Sequence, residues 1–531
     1  MADKNIKTDH SGTMPEAEQP SRREFLKIGA GAVGGFATST MALASRAQGG
    51  SPQPPRPNLV FFLGEGLRAD EFSSRKTEGW NGNGLSAMFN KIVSTPHLDR
   101  IGQEGVVFRN AFVVNALCLP SRSTILTGLY SHSTGCIDNN GRELPKNIPT
   151  LADLLREAGY EVAFFGKAHI RNLHLRNWDH FFGFEIAAAN YYDPIVTESE
   201  NGIAKPPKQY HGQYVDDLLT DRALSWLSKK RSKPFCLFLW YDAPHSPYYR
   251  ARRYLGLYNG LPIPTPVTFD EDLKGYPGKP QAFREASNKI GTTSLTYSPQ
   301  GKPARTDDVR SLEEVVKNHC AGVVANDDCT RRVFEALERQ GSLDDTAIVL
   351  SSDHGFFLGE WCFWDKRFMH EPSIRVPLMI RYPRLIKPGT VVDRMALNLD
   401  IAPTILEIAG LKVPEWMQGG SLVPFFKGPG PATWRKDWLY EYYEYPGWMQ
   451  VRPNRGVRTE RYKLIHYYLQ PEEFELYDLE KDPGELHNLY GTPGTAEVVA
   501  QLRQRIEELR KETGDQYHYE TPSGERVGEL G

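Results

Sequence analysis

Cysteine, surplus charge and long apolar runs are all scarce in this chain. Six cysteines in 531 residues are too few to build a disulfide scaffold. None forms a C-x-x-C pair, so the usual ligand spacing of a structural zinc site is missing. The formal net charge is −3, with 63 Lys and Arg against 66 Asp and Glu, which gives no basic surplus for nucleic acid. No stretch is long and apolar enough to span a bilayer, so no stable membrane insertion is expected. What remains is a chain long enough for one large α/β domain and a smaller companion.

The N-terminus does carry a signal. Ser21-Arg22-Arg23-Glu24-Phe25-Leu26-Lys27 precedes a mildly apolar Gly/Ala stretch from Ile28 to Leu43, with small residues at Ala44 and Ala47. This resembles a twin-arginine export signal over residues 1–47, to be set aside in reading the fold. It implies a periplasmic or secreted protein, in which one or two disulfides could form. Residues Gln48 to Pro57 read as a Pro-rich linker.

Short β-rich runs alternate with helical patterns. The clearest strands are Asn58–Leu63, Glu161–Phe165, Phe235–Tyr241, Thr346–Ser351 and Val376–Arg381. Helices are expected at Leu151–Ala158, with Thr150 as cap and Gly159 as stop, and over Tyr214–Leu227. This alternation predicts a large mixed, mostly parallel sheet sandwiched by helices. The Gly/Pro stretch Lys427–Pro431 marks a boundary, giving a catalytic domain over 48–427 and an α+β subdomain over 428–531. The latter has strand-like runs at Trp438–Tyr445, Gly456–Tyr468 and Phe474–Leu479, then an amphipathic helix at Glu497–Lys511. Trp438, Tyr445 and Trp448 suit either sugar stacking or core packing. The Pro/Gly-rich insert from about Leu257 to Asp308 is expected to form part of a pocket wall.

Chemistry-bearing residues follow the strands. Glu65 comes after Leu63, Lys167 and His169 after Phe165, His245 after Tyr241, and Asp353 with His354 after Ser351. In open α/β sheets, ligands bind at the carboxyl ends of the strands. A further run, Cys118-Leu119-Pro120-Ser121-Arg122 continuing to Thr127-Gly128, places a thiol at a helix start. Backbone N–H groups and Arg122 would there favour an anion and an ionised sulfur.

The C-x-P-S-R…T-G run resembles the active-site motif of the type I, formylglycine-dependent sulfatases of the alkaline phosphatase superfamily. Gly166-Lys167-Ala168-His169, Ala243-Pro244-His245-Ser246-Pro247, Ser352-Asp353-His354-Gly355 and the Trp364-Asp365-Lys366-Arg367 segment resemble further motifs of the family, in order along the chain. The C-terminal runs around Glu441–Tyr445 and Arg455–Ile465 are similar to bacterial sulfatases of the glucosamine-6-sulfatase type. The resemblance implies hydrolysis of sulfate esters, on sulfated carbohydrates. It implies that Cys118 is oxidised to formylglycine (3-oxoalanine) by a formylglycine-generating maturation enzyme, and that Ca2+ or another divalent cation such as Mg2+ is bound by Glu65, the oxidised Cys118, Asp353 and His354. Arg122, Lys167 and Lys366 would neutralise the sulfate, His245 or His169 would protonate the leaving alcohol, and His169 would help to expel sulfate. Alternatives are a phosphonate or phosphate-diester hydrolase on the same scaffold, or a non-catalytic glycan-binding relative. The family's usual Asp-Asp pair is here Glu65-Gly66, with Asp70 as a possible substitute carboxylate.

Overall fold

The structure is a computed structural model. It describes residues 56–531 apart from 73–88, 90–91, 270–272, 274–277, 288–294, 297–308, 448, 521–525 and 528–531. The expected export signal over 1–47 lies outside the described residues. Arg56–Gly531 forms one compact unit.

The first strand, β1 (Asn58–Gly64), is buried along nearly its whole length, as a strand covered on both faces must be. In chain order there follow α1 (Pro96–Gln103), β2 (Val106–Phe108), α2 (Cys118–Thr127), α3 (Leu151–Glu157), β3 (Glu161–Lys167), β4 (His180–Phe184), β5 (Ile195–Glu200), α4 (Val215–Leu227) and β6 (Phe235–Trp240). After the insert come α5 (Leu312–Arg339), β7 (Thr346–Ser352), β8 (Leu378–Arg381) and β9 (Thr390–Val392). The strands lie in the order β9-β2-β8-β7-β1-β6-β3-β4-β5, with two further short strands completing an eleven-stranded sheet. The core β7-β1-β6-β3-β4 is parallel. β8 runs antiparallel to β7, and β5 antiparallel to β4. One group of helices joins α4 and α1 to α5, and another joins α2 to α3 and Ile401–Ile408.

Local signals explain the elements. Thr150 caps α3 by accepting from the Asp153 N–H, and Asp153 returns the favour to the Thr150 N–H, a capping box. Gly159 takes φ +93 just after that helix, a conformation that costs glycine little. α2 ends at Gly128 with φ +68.

A second sheet is antiparallel, β10 (Asp437–Tyr442), β11 (Asn454–Thr459), β12 (Tyr462–Tyr467) and β13 (Glu473–Asp478), with α6 (Ala496–Thr513) packed on β10, β11 and β12. The run read as one strand, Gly456–Tyr468, is a hairpin, because the polar Thr459–Arg461 turns the chain: the Thr459 hydroxyl accepts from the N–H groups of Arg461 and Tyr462. Trp438 stacks on Phe112, with ring centroids 5.5 Å apart, and is buried, so it is a core residue. All six cysteines are buried, and none is in a disulfide.

Candidate active site

Register places the chemistry. Gly64 pairs with Ser352, and Leu63 and Gly166 both face Trp240. The residues just beyond these positions therefore emerge side by side at one edge. β1 is the point where the strand order diverges, which is where open α/β sheets form their crevice.

Glu65, immediately after β1, is the hub. Its Oε2 accepts from Lys167 Nζ at 2.7 Å and from Arg122 Nη2 at 2.8 Å. Its Oε1 lies 3.2 Å from Cys118 Sγ, 3.1 Å from His354 Nε2, 3.5 Å from Lys366 Nζ and 3.8 Å from His245 Nε2. The structure thus brings together Glu65, Cys118, Arg122, Lys167, His245, Asp353, His354 and Lys366, all placed there from sequence. His169 joins them as a buried residue with φ +59 and a buried Nδ1 without a hydrogen bond.

Arg122 has a different task from the one its position suggested. Its Nε donates to Asp353 Oδ2 at 2.9 Å, its Nη2 to Glu65 and its Nη1 to the Lys167 carbonyl at 2.5 Å. A fully buried guanidinium committed to two carboxylates orients them; it is not left free for a substrate anion. The ammonium charge near the thiol comes from Lys167 and Lys366, which are themselves paired with Glu65 and Asp365. The helix start contributes less than expected, because the Leu119 N–H is taken by Asn139 Oδ1 at 3.1 Å and Pro120 has no N–H.

These charges set the ionisation of the sulfur. Burial and the Glu65 carboxylate oppose ionisation of Cys118, but Lys366, Lys167 and His354 outweigh them and hold the thiol well below its ordinary range. Glu65 is likewise held low: burial works against it, while Lys167, His354 and Lys366 favour the carboxylate. Burial and then Lys167 push His245 down to about 4. Burial also lowers His169. Both imidazoles are therefore neutral at pH 7. The His245 Nδ1–H donates to the Ser246 carbonyl at 2.7 Å, which leaves Nε2 bare toward Glu65.

The ligand atoms of Glu65, Cys118, Asp353 and His354 all lie within 4.8 Å of one another. His354 Nδ1–H is fixed on the Gly355 carbonyl at 2.7 Å, which turns Nε2 inward. Burial and the nearby Glu65 carboxylate raise Asp353 to about 7. Two carboxylates held this close repel each other, and a hard divalent cation between them removes that repulsion. The donor set fits such a cation. Gly66 cannot restore a second Asp: it has φ +67, its N–H donates to Asp353 Oδ1 at 3.2 Å, and a Cβ would sit 3.1 Å from Phe356. Asp70 is not a substitute either, since it pairs with Arg68 at 2.9 Å outside the cluster.

Sequence reasoning passed over Asp242 and Asp365. Asp242 Oδ1 lies 3.9 Å from Lys167 Nζ, and Asp365 Oδ1 lies 3.1 Å from Lys366 Nζ. Asp242 comes two residues after β6, so the rule that found His245 also covers it. The insert backs the Lys366 loop: Thr268 Oγ1 accepts from the Trp361 N–H at 3.3 Å, and the buried Lys279 Nζ reaches His370 Nε2 at 2.9 Å and Glu475 at 3.0 Å.

A parallel-sheet crevice with a buried thiol, two lysines and a carboxylate–imidazole cluster defines a hydrolase of the sulfatase type. The chain belongs to the sulfatase family: the family model described as "Sulfatase" matches residues 57–411, and one described as "N-sulphoglucosamine sulphohydrolase, C-terminal" matches 359–512. It is a sulfuric ester hydrolase. It is 34% identical to an N-acetylglucosamine-6-O-sulfatase of Bacteroides thetaiotaomicron, over 90% of each chain. A solved structure described as a complex with its substrate D-glucosamine-2-N,6-O-disulfate matches with TM-score 0.74 and 32% identity, covering 87% of this chain and 98% of that one. A phosphonate monoester hydrolase of Agrobacterium radiobacter shares the fold, with TM-score 0.68 at 22% identity over 89% and 99% of the two chains.

Proposed function

We propose that this enzyme hydrolyses sulfate esters of amino sugars, 6-O-sulfated glucosamine foremost, through a formylglycine made from Cys118. The observation that carries this reading is the convergence of Lys167, Lys366, Cys118 and His245 on Glu65 within 4 Å. The identity to an N-acetylglucosamine-6-O-sulfatase supports the amino sugar.

A formylglycine-generating maturation enzyme would convert Cys118 to the aldehyde, whose hydrate attacks sulfur. Glu65, Asp353 and His354, with the oxidised Cys118, would hold a divalent cation, Ca2+ or Mg2+. When bound, that cation supplies Lewis-acid charge to the sulfate oxygens. Lys167 and Lys366 neutralise the sulfate, and Arg122 keeps Glu65 and Asp353 aligned. As the S–O bond breaks, charge grows on the leaving oxygen, and His245 protonates it. His245 is neutral at rest with Nε2 unprotonated, so it would take the proton that the attacking hydroxyl loses as it bonds to sulfur and pass that same proton to the leaving oxygen. His169 would then take a proton from the remaining hydroxyl as the C–O bond to sulfate breaks, which leaves the aldehyde for water to rehydrate. Export through residues 1–47 would put the enzyme outside the cytoplasm with its polysaccharide substrates, and cell fractionation tests this.

The deciding experiment is activity of matured protein on defined sulfated mono- and disaccharides, beside an aryl sulfate, a phosphodiester and a phosphonate monoester. Highest kcat/KM is expected on the 6-O-sulfated glucosamine; preference for the phosphonate would overturn the reading. Mass analysis of the Cys118 peptide supplies the second arm: an unmodified thiol in active protein would remove the formylglycine.

A further inference from the structure

Lys366 sits on a loop that the backbone resists. The residues on either side of it, Asp365 and Arg367, have φ of +82 and +94, a region that non-glycine residues avoid. Such a conformation persists only where its surroundings over-determine it.

The surroundings here belong largely to the C-terminal sheet. Tyr440, on β10, is fully buried, and its hydroxyl donates to the Arg367 carbonyl at 2.8 Å. The same oxygen accepts from the Ala116 N–H at 3.4 Å. Two residues later in the chain is Cys118. The neighbouring Glu441 N–H donates to the Val114 carbonyl at 2.9 Å, so β10 also holds the segment leading into α2. Further along the Lys366 loop, Lys463 Nζ donates to the Met369 carbonyl at 2.8 Å, and the Glu371 N–H donates to Glu485 at 2.7 Å.

We propose that Tyr440 is a positioning residue for catalysis: its hydroxyl ties the strained loop carrying Lys366 to the strand-to-helix segment carrying Cys118, and so fixes the lysine against the nucleophile. The proposal rests on Lys366 acting at the sulfate. Phenylalanine at this site keeps the ring and its packing, and removes only the bridge. The Arg367 carbonyl and the Ala116 N–H then lose a buried partner, and the loop relaxes toward an unstrained backbone. Displacement of a catalytic group by a fraction of an ångström lowers the rate far more than the affinity.

The test compares Tyr440→Phe with Tyr160→Phe, in full-length matured protein, on 4-nitrophenyl sulfate and 6-O-sulfated glucosamine. Tyr160 also loses one hydrogen bond, that to the Pro57 carbonyl at 3.0 Å, at the far end of β1 from the site. Tyr440→Phe is expected to lower kcat about 10-fold with KM within about 2-fold. Its thermal midpoint should stay within about 3 °C of the wild type, with equal formylglycine content at Cys118. Tyr160→Phe should leave kcat unchanged. Unchanged kcat in Tyr440→Phe, or an equal loss in both variants, would overturn the proposal while the wild type remains a working sulfatase. A wild type inactive on both sulfates would overturn the sulfatase reading, and this proposal with it.

Discussion

Glu65 is the residue on which the site turns, since a single carboxylate faces two lysines, an arginine, two histidines and the thiol. Its neighbour Gly66 explains why a second carboxylate is absent: the turn out of β1 has left-handed backbone, and Phe356 occupies the side-chain space. Gly66→Asp should therefore weaken the protein by about 1–2 kcal/mol and bind no more metal, as chemical denaturation and elemental analysis would show. His245 gives a prediction of a different kind. A residue that protonates the leaving oxygen matters most when that oxygen is a poor leaving group. His245→Ala should lower kcat on a sugar sulfate about 10²–10⁴-fold and on 4-nitrophenyl sulfate far less, since nitrophenolate leaves without a proton. Equal losses on both substrates would remove His245 from that role. At this scale the sequence was highly legible, because each of these residues follows a strand or lies in a motif. Arg122 is the exception. Its identity and place were readable, but its commitment to Glu65 and Asp353 depends on two carboxylates that arrive from distant segments.

Elements were legible where local signals are strong, as with the capping box of α3 and the apolar β1. The hairpin β11–β12 was missed because its turn, Thr459–Arg461, lacks the glycine or proline that usually punctuates one. Strand β10 acts beyond its own sheet through Glu441. That carboxylate holds His132 Nδ1 at 2.5 Å, and His132 Nε2 donates to the Thr513 carbonyl at 3.0 Å. Burial works against the charged imidazole, but Glu441 overrides it and raises His132 to about 9. The folded state thus favours the protonated form. Its stabilisation is full below the unfolded value near 6.5 and is lost as pH rises through 9. His132→Ala should cost on the order of 3 kcal/mol at pH 6, and the difference from wild type should shrink steadily toward pH 10. Denaturant melts across that range check the sign.

On the scale of the whole molecule, the C-terminal sheet completes the catalytic unit. Glu371, close after the Lys366 loop, is buried against Arg458 of β11 and Lys463 of β12, each at 3.0 Å. Removal of those partners leaves the buried Glu371 carboxylate with Arg375 alone, at 3.5 Å, a destabilising loss of buried charge pairing, and uncovers the ring of Phe112 beneath Trp438. A chain ended after Lys427 is therefore expected to be insoluble or inactive, which expression and aryl sulfate assays would show. A soluble, active 56–427 fragment would contradict this account. Depletion of divalent cations from the full chain should abolish activity and lower the thermal midpoint, and Ca2+ or Mg2+ should restore both.

The sequence by itself determined the class of fold, the family and almost every residue that the structure gathers at the strand ends. Alternation of strand and helix is a local pattern, and the strand-end rule turns that pattern into a place. What only the tertiary structure decided was how the charges are shared. Arg122 serves Glu65 and Asp353, Lys167 pairs with Glu65, Lys366 lies between Glu65 and Asp365, and the Tyr440 hydroxyl from the second sheet links the Arg367 carbonyl to the Ala116 N–H. The physical reason is distance along the chain. Glu65, Arg122, Asp353 and Tyr440 are separated by dozens to hundreds of residues, and a side chain's partners depend on which strands lie next to each other.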